Sequence, residues 1–422
     1  MKMLFVRGLR FFAQRQLDRF HPVVIAVTGS VGKTTTKGAI AIALGAQFDV
    51  RTAKKNYNNE FGVPLAVLGE SSPGKNLWEW AKLFHRQLFV KTFPTHLVLE
   101  FGADKPGDIQ ALCDFVKPHV AVLTAISPVH VSNYPNFGAL AEEKATLGDN
   151  VSADGLVVLN VDDSTLKLMQ GRFVAPTVTY GKMGKQAKIT DVYVKIINDN
   201  AVMTKAQIDV GGEIVNLELK NCLGDAPVSA CAAALLVAHH FDVSLIDAAK
   251  ALNEGFVPAS GRMRPLVGVK NTLILDDTYN AAPASVMAGL DVLKLFTVAR
   301  PNVRRIAVLG KMAELGVYSE SEHVTVGRRV AEVADVFVAT GLEMADAANE
   351  AERAGMKKDC VIRVNDAVEA GRWLDAHLHE GDIVFVKGSQ SARMEKAVKD
   401  IILDPLKAKE LLVRQEAYWE TV

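Results

Sequence analysis

The sequence predicts an α/β fold with two mainly parallel sheets in series. The first is built around a P-loop and carries a small antiparallel insertion; the second is smaller and Rossmann-like. Three observations lead there. Apolar runs of strand length, such as Val23–Thr28 and Ile383–Lys387, show no polar alternation, which marks strands buried on both faces. Segments of helical period separate these runs, the connection that parallel strands require. The 422 residues are enough for two or three cores of ordinary size.

Residues 1–21 are basic and apolar. Leu4, Phe5, Leu9, Phe12 and Leu17 fall on one helical face, with Arg7, Arg10 and Arg15 elsewhere. No small-residue cleavage site follows, so the segment reads as a helix docked on the next domain, with peripheral membrane contact as the alternative. Val23–Thr28 is then a strand, Gly29–Gly32 a turn and Lys33–Leu44 a helix. Thr95–Glu100, His119–Ala125 and Gly155–Asn160 are further buried strands. Between Lys188 and Lys220 the period changes to short alternating runs such as Asp191–Ile196. With Gly211-Gly212 as a turn, these predict the antiparallel insertion. The alanine-rich stretch Ala226–His240 reads as a buried helix.

Turn residues cluster at Pro258–Gly261 and place a boundary there. The expected division is therefore residues 1–21, 22–258 and 259–422. Beyond the boundary, Leu273–Asp277, Arg305–Gly310, Val336–Thr340 and Ile383–Lys387 form the strands of the second sheet.

Composition narrows the function. Lysine plus arginine equals aspartate plus glutamate at 48 each, so no net field points to nucleic acid. The four cysteines have no C-x-x-C spacing, which argues against a zinc ribbon or a disulfide framework and fits a reducing cytosol. No apolar run approaches membrane-spanning length.

The chemistry gathers where strands end. Gly29-Ser30-Val31-Gly32-Lys33-Thr34-Thr35 follows a strand and opens a helix, the setting in which loop N–H groups and a helix N-terminus cradle phosphate. Lys33 reaches the β/γ-phosphates and Thr34 offers a Mg²⁺ ligand. Val27 stands at the first glycine position of the usual pattern. Glu100 closes one strand, placed to meet the metal on a nucleotide. His130 follows another, as a metal ligand or a polar anchor. By composition alone Lys144 is a solvated lysine beside two glutamates.

Several runs, in this order, resemble the Mur ligases, the ATP-dependent amide ligases of peptidoglycan synthesis. They are Gly29–Thr35, Asn56-Tyr57-Asn58-Asn59-Glu60-Phe61-Gly62-Val63-Pro64, Leu99–Ala103, Asp276-Asp277-Thr278-Tyr279-Asn280-Ala281-Ala282-Pro283, Val308–Gly316 and Val386–Ser389. The resemblance spans about Pro22 to Ile402 and is strongest to the branch that adds D-alanyl-D-alanine. It implies ATP and two Mg²⁺ ions as cofactors, with Gly29–Thr35, Asn59, Asp277 and Asn280 on the nucleotide and Thr34, Glu100, His130 and Lys144 around the metals. It implies Lys33, His130, Lys144 and Arg262 as catalytic residues, with Lys144 carbamylated into a carboxylate-like ligand.

The implied partners are ATP, a carboxylate-bearing peptide precursor and an amine such as D-Ala-D-Ala. Only residues 1–21 precede the first strand, too few for the family's UDP-binding domain, so a helper protein is one expectation. Ala282 and Lys311 replace an asparagine and an aspartate of the family pattern. Two other readings stay open: a Mur-type ligase on a carboxylate without UDP, as in folylpolyglutamate-type or amino-acid-polymerising relatives, and a nucleotide-binding regulator without ligase activity.

Overall fold

The computed structural model describes residues 2–53, 56–127, 133–198, 201–300, 302–416 and 419. The first sheet has nine strands: β1 (Val23–Thr28), β2 (Val50–Thr52), β3 (His96–Glu100), β4 (Val120–Leu123), β5 (Leu156–Asn160), β6 (Thr177–Gly181), β7 (Ala187–Asn198), β8 (Ala201–Val210) and β9 (Glu213–Lys220). Their order is β2-β3-β1-β4-β5-β6-β7-β8-β9. The second has six: β10 (Arg264–Val267), β11 (Leu273–Asp277), β12 (Arg305–Gly310), β13 (Val336–Thr340), β14 (Val361–Val364) and β15 (Ile383–Lys387), in the order β10-β11-β15-β12-β13-β14. The helices that matter here are α1 (Lys2–Phe20), α2 (Lys33–Leu44), α3 (Gly62–Leu68), α4 (Leu77–Leu88), α5 (Asp108–Phe115), α6 (Phe137–Asp149), α7 (Ser164–Leu168), α8 (Asp225–His240), α9 (Leu245–Gly255) and α10 (Pro283–Ala299).

The unbroken apolar strands sort their side chains by the two-residue period of the pleat. Ile25 and Val27 of β1 join Ile40, Leu44, Leu235 and Leu252 under α2, α8 and α9. Val24 and Ala26 point the other way, into a core with Leu9, Leu65, Leu83, Ile109 and Ala145 from α1 and α3–α6. Because both faces are covered, the carboxyl ends of the strands are what the sheet leaves open for a ligand.

The antiparallel segment is present but is not a separate unit. β7 pairs in parallel with β6 through Tyr180–Ala187 and Gly181–Lys188, and β8 and β9 continue the same sheet. Val202 of β8, with Val194 and Ile196 of β7, packs into the core of the second sheet. The alternation along β7 therefore records a ribbon that is solvated on one side and buttresses the neighbouring unit on the other. The short strands β2, β6 and β14 have no apolar run of their own to announce them; neighbouring strands supply their pairing.

Helix α1 docks on the first unit. Leu9 and Ala13 are fully buried, Phe5 stacks on Trp80 at 4.6 Å and Phe12 on Phe84 at 5.4 Å between centroids. Gln16 Nε2 donates to Gln87 O at 2.8 Å. Burying one such large apolar side chain contributes on the order of 2 kcal/mol. Among the described residues no helix is long and apolar enough to cross a membrane.

Candidate active site

The loop after β1 is shaped by two glycines. Gly29 has φ +144°, and a Cβ there would stand 2.2 Å from Thr124 Oγ1 and 2.9 Å from Ala125 O; Gly32 has φ +88°. Neighbouring β4 and its loop hold the turn in place. Ser30 N donates to Ala125 O at 2.7 Å, Ser30 Oγ to Ser127 O at 3.0 Å, and Thr124 Oγ1 to Val31 O at 2.6 Å. α2 then starts at Lys33, so its N-terminal N–H groups and dipole face the loop. Lys33 Nζ curls over the turn and donates to Gly29 O at 2.6 Å and Ser30 O at 3.3 Å. Burial lowers the Lys33 pKa, the Glu100 charge opposes that and Arg262 adds to it.

β3, the strand beside β1, ends on Glu100, which is 2 % exposed. Thr34 Oγ1 lies 2.8 Å from Glu100 Oε2 and 3.0 Å from Asn56 Oδ1, and Asn58 Nδ2 donates to Glu100 Oε1 at 3.3 Å. A Cβ on Gly102 would meet Asn58 Cγ at 2.9 Å, so the glycine permits the Asn58 approach. Hydroxyl and carboxylate oxygens converging beside a glycine turn at a helix N-terminus are donors of the kind Mg²⁺ takes. Thr34 and Glu100 fit that ion. Among the described residues no three His, Cys, Asp or Glu side chains form a metal cluster by themselves. His130 lies outside the described residues.

The second sheet closes the site. Between β9 and β11 the chain turns at Gly261-Arg262-Met263, and β11 holds the turn. Gly261 N donates to Asp276 Oδ2 at 3.0 Å, Met263 N to Asp277 Oδ1 at 3.0 Å, and Tyr279 N to Gly261 O at 2.9 Å. The Arg262 guanidinium lies 4.2 Å above the Tyr279 ring, and its Nη2 donates to Thr34 Oγ1 at 3.1 Å. Asn56 Nδ2 donates to the Tyr279 hydroxyl, a second bond between the two units. Full burial pushes Asp276 up to about 6, against the hydrogen bonds from Thr278 and Gly261. Lys387 Nζ at the end of β15 donates to Asp277 Oδ2 at 2.5 Å and to Asn280 O at 2.8 Å. Between the units lies a cleft of about 620 Å³. Ser30–Thr35, Asn56, Asn58 and Glu100 line one side; Arg262, Asp277, Tyr279, Asn280 and the small residues Ala284 and Ala288 of α10 line the other.

Two stretches match family models along this architecture: the Mur ligase middle domain over residues 27–238, and the Mur ligase glutamate ligase domain over residues 261–390. The chain belongs to the Mur ligase family. The UDP-N-acetylmuramoyl-tripeptide–D-alanyl-D-alanine ligase of Bacillus subtilis strain 168 is 27 % identical over 404 residues, covering 94 % of this chain and 80 % of the relative. The enzyme of the same name from Mycobacterium tuberculosis H37Rv is 28 % identical over 397 residues, covering 90 % and 73 %. The crystal structure of MurF ligase from Thermotoga maritima in complex with ADP superposes with a TM-score of 0.74 at 26 % identity, covering 96 % of this chain and 84 % of that one.

Within this Mur ligase, Lys144 is not solvated. It sits on α6 at 3 % exposure, with Nζ 3.4 Å from Ala103 O. Burial first, and the Lys33 charge second, push its pKa down to about 7. The adjacent Glu143 is occupied elsewhere: Oε2 accepts from Gly107 N at 2.8 Å and Oε1 from Ile109 N at 2.7 Å, at the start of α5. Among the described residues no carboxylate bonds Lys144 Nζ, so burial outweighs the more distant carboxylates and lets the amine shed its proton near neutral pH.

The placement differs from expectation at Asn59. Its side chain is exposed and accepts from Phe61 N at 3.2 Å and Gly62 N at 2.9 Å, so it caps α3 instead of lining the cleft. Asn56 and Asn58 of the same run face the site, three and one residues earlier along a chain that crosses its edge. Sequence reasoning also missed Tyr279 and Lys387, although both stand in runs that carried the resemblance. Lys311 pairs with Glu343 Oε1 at 2.7 Å. Ala282 precedes α10 and exchanges backbone bonds with Ser285 Oγ at 3.1 and 2.8 Å.

Proposed function

We propose that this Mur ligase joins D-alanyl-D-alanine, or a closely similar amine, to the peptide carboxylate of a muramoyl-peptide precursor, with ATP converted to ADP and phosphate. One observation carries the reading: Arg262, delivered by the second unit, reaches the Thr34 hydroxyl beside Glu100 and Lys33. That arrangement would offer a γ-phosphate cations from both sides of the cleft, which is what phosphoryl transfer to a carboxylate needs. The names of the B. subtilis and M. tuberculosis relatives and the ADP in the T. maritima structure support the substrates.

The proposed chemistry follows from charge. A substrate carboxylate oxygen attacks the γ-phosphorus, the bond to the ADP oxygen breaks, and an acyl phosphate results. The amine then attacks the acyl carbon, phosphate leaves, and the amine loses its proton to solvent. In this scheme Lys33 and Arg262 offset the charge on the transferring group, while the N-terminus of α2 and the Gly29–Thr35 N–H groups hold the phosphates. Thr34 and Glu100 are the residues that would hold Mg²⁺, whose bound charge neutralises phosphate oxygens. Asp277 and Asn280 orient the nucleotide from the second unit, and the Thr34–Arg262 and Asn56–Tyr279 bonds keep water from the acyl phosphate. Lys144, whose amine loses its proton at far lower pH than an ordinary lysine, is the proposed site of carbamylation.

The test is ADP release with UDP-N-acetylmuramoyl-tripeptide and D-Ala-D-Ala, with mass spectrometry of the product. Turnover with both substrates and the expected amide supports the reading. Turnover only with a carboxylate lacking UDP replaces the substrate, and ATP binding without any substrate-dependent turnover replaces the activity.

A further inference from the structure

Arg414 lies beyond both matched stretches, and the mechanism above makes no use of it. Its side chain is 5 % exposed, an unusual place for a guanidinium unless several acceptors meet it. They do. Nη1 donates to Thr278 O at 3.1 Å and to Glu395 Oε2 at 3.0 Å, and Nη2 donates to Tyr279 O. The guanidinium also lies 5.5 Å from the Tyr279 ring centroid, on a residue whose ring already carries Arg262 at 4.2 Å. The planar fork therefore grips the backbone of the Thr278–Tyr279 turn and helps to place the ring.

Its surroundings fix the fork. Glu395, 1 % exposed, takes a second bond from Arg393 Nε at 2.6 Å, and Arg393 Nη2 donates to Trp419 O at 2.9 Å. Val413 presses on the same turn: a Cβ on Gly261 would stand 3.0 Å from Val413 Cγ1 and 2.8 Å from Tyr279 N. So the segment around Val413–Arg414 covers the back of the loop pair whose front reaches across the cleft to Thr34 and Asn56.

We propose that Arg414 is a positioning residue for the active site. It locks the Thr278–Tyr279 backbone so that the Tyr279 ring seats Arg262 against Thr34 and meets Asn56, and the nucleotide cleft is shaped from outside by the C-terminal segment. Arg414 touches no substrate in this scheme and acts through Tyr279.

The test uses full-length protein with Arg414→Met, Arg414→Lys and the double variant Arg414→Met/Glu395→Gln. The double variant removes both buried charges together and so separates loss of positioning from the penalty of an unpaired carboxylate. Hydrogen exchange is read at the amides of Thr278–Ala281, with β12 as the internal standard. In the double variant, exchange at those amides should quicken by about tenfold or more while β12 keeps its protection. The KM for ATP should rise about fivefold or more, and Arg414→Lys should recover only part of it, because an ammonium cannot serve three acceptors in a plane. A double variant that folds with wild-type exchange at Thr278–Ala281 overturns the proposal. So does one with quickened exchange but unchanged KM for ATP. The kinetic arm rests on the proposed ligase function, so wild-type protein without ATP turnover defeats that reading and leaves the exchange arm to decide this one.

Discussion

Arg262 Nη2 donates to Thr34 Oγ1 at 3.1 Å, although 228 residues separate the two in the chain. Each is set by its own sheet: Thr34 by the β1 loop and α2, Arg262 by the clasp of Asp276 and Asp277 on its turn. The contact joins the side of the cleft lined by the Ser30–Thr35 loop to the side lined by Arg262, Asp277 and Tyr279. Arg262→Ala should therefore lower kcat by about two to three orders of magnitude, the cost of one donor aimed at developing charge. Arg262→Lys should recover little, because the stack on Tyr279 needs a planar cation. Steady-state ADP release with melting temperature as control checks this; a loss of kcat that follows lost folding would remove the inference.

Gly29 allows a sharper prediction. A methyl group there would lie 2.2 Å from Thr124 Oγ1 and 2.9 Å from Ala125 O, at a φ of +144°. Gly29→Ala should abolish measurable ADP binding by calorimetry while the protein stays folded. Adding Thr124→Ala removes the nearer clash only. The double variant should recover part of the affinity, because the carbonyl contact and the positive φ persist.

The packing of α1 makes a prediction about stability alone. Trp80 is 3 % exposed, stacks on Phe5 and donates Nε1 to Gly74 O at 3.1 Å. Trp80→Ala should cost about 3–5 kcal/mol in denaturant unfolding, the range for emptying a large aromatic site. The KM for ATP should be unchanged, since no residue of α1 or α4 lines the cleft. A shifted KM would mean that this face of the sheet is coupled to the loop ends.

The fold was legible wherever local pattern and tertiary role agree. β1, β12 and β15 are buried on both faces, so each writes an uninterrupted apolar run, and β11 does so over Leu273–Leu275 before its two aspartates. β2 and β14 are short edge strands that exist because a neighbour pairs with them, and nothing local marks them. The P-loop is a local motif and could be read; the Thr34–Arg262 and Asn56–Tyr279 contacts depend on how two sheets face each other, which no spacing encodes. Asn59 shows the same limit at closer range. The run around it borders the cleft through Asn56 and Asn58, but which asparagine faces the cleft depends on where α3 begins. Lys144 is the reverse case: the two glutamates just before it suggest a solvated helix face, while the structure buries the lysine and commits Glu143 to α5.

That burial gives Lys144 a pH signature. Its pKa in the folded chain is pushed down to about 7 from an ordinary 10.5, by burial and by the Lys33 charge. Below about 7 both folded and unfolded chains carry the proton, and folding bears the full cost of a buried ammonium. Between about 7 and 10.5 the unfolded chain holds one proton more at this site, so stability rises with pH across that window. Lys144→Met should flatten this part of the pH–stability curve. The same neutral amine can attack carbon dioxide, forming an N–C bond and releasing a proton to give a carbamate. Carbon-13-labelled bicarbonate should produce a carbamate resonance in the wild type that Lys144→Ala lacks, and its intensity should grow as pH rises through 7. ADP release should fall in Lys144→Ala and recover in part with short carboxylic acids, which restore the missing oxygens. A slope retained in Lys144→Met would place the titration elsewhere. Full activity in Lys144→Ala without any carbamate resonance in the wild type would leave this lysine a buried amine and no more.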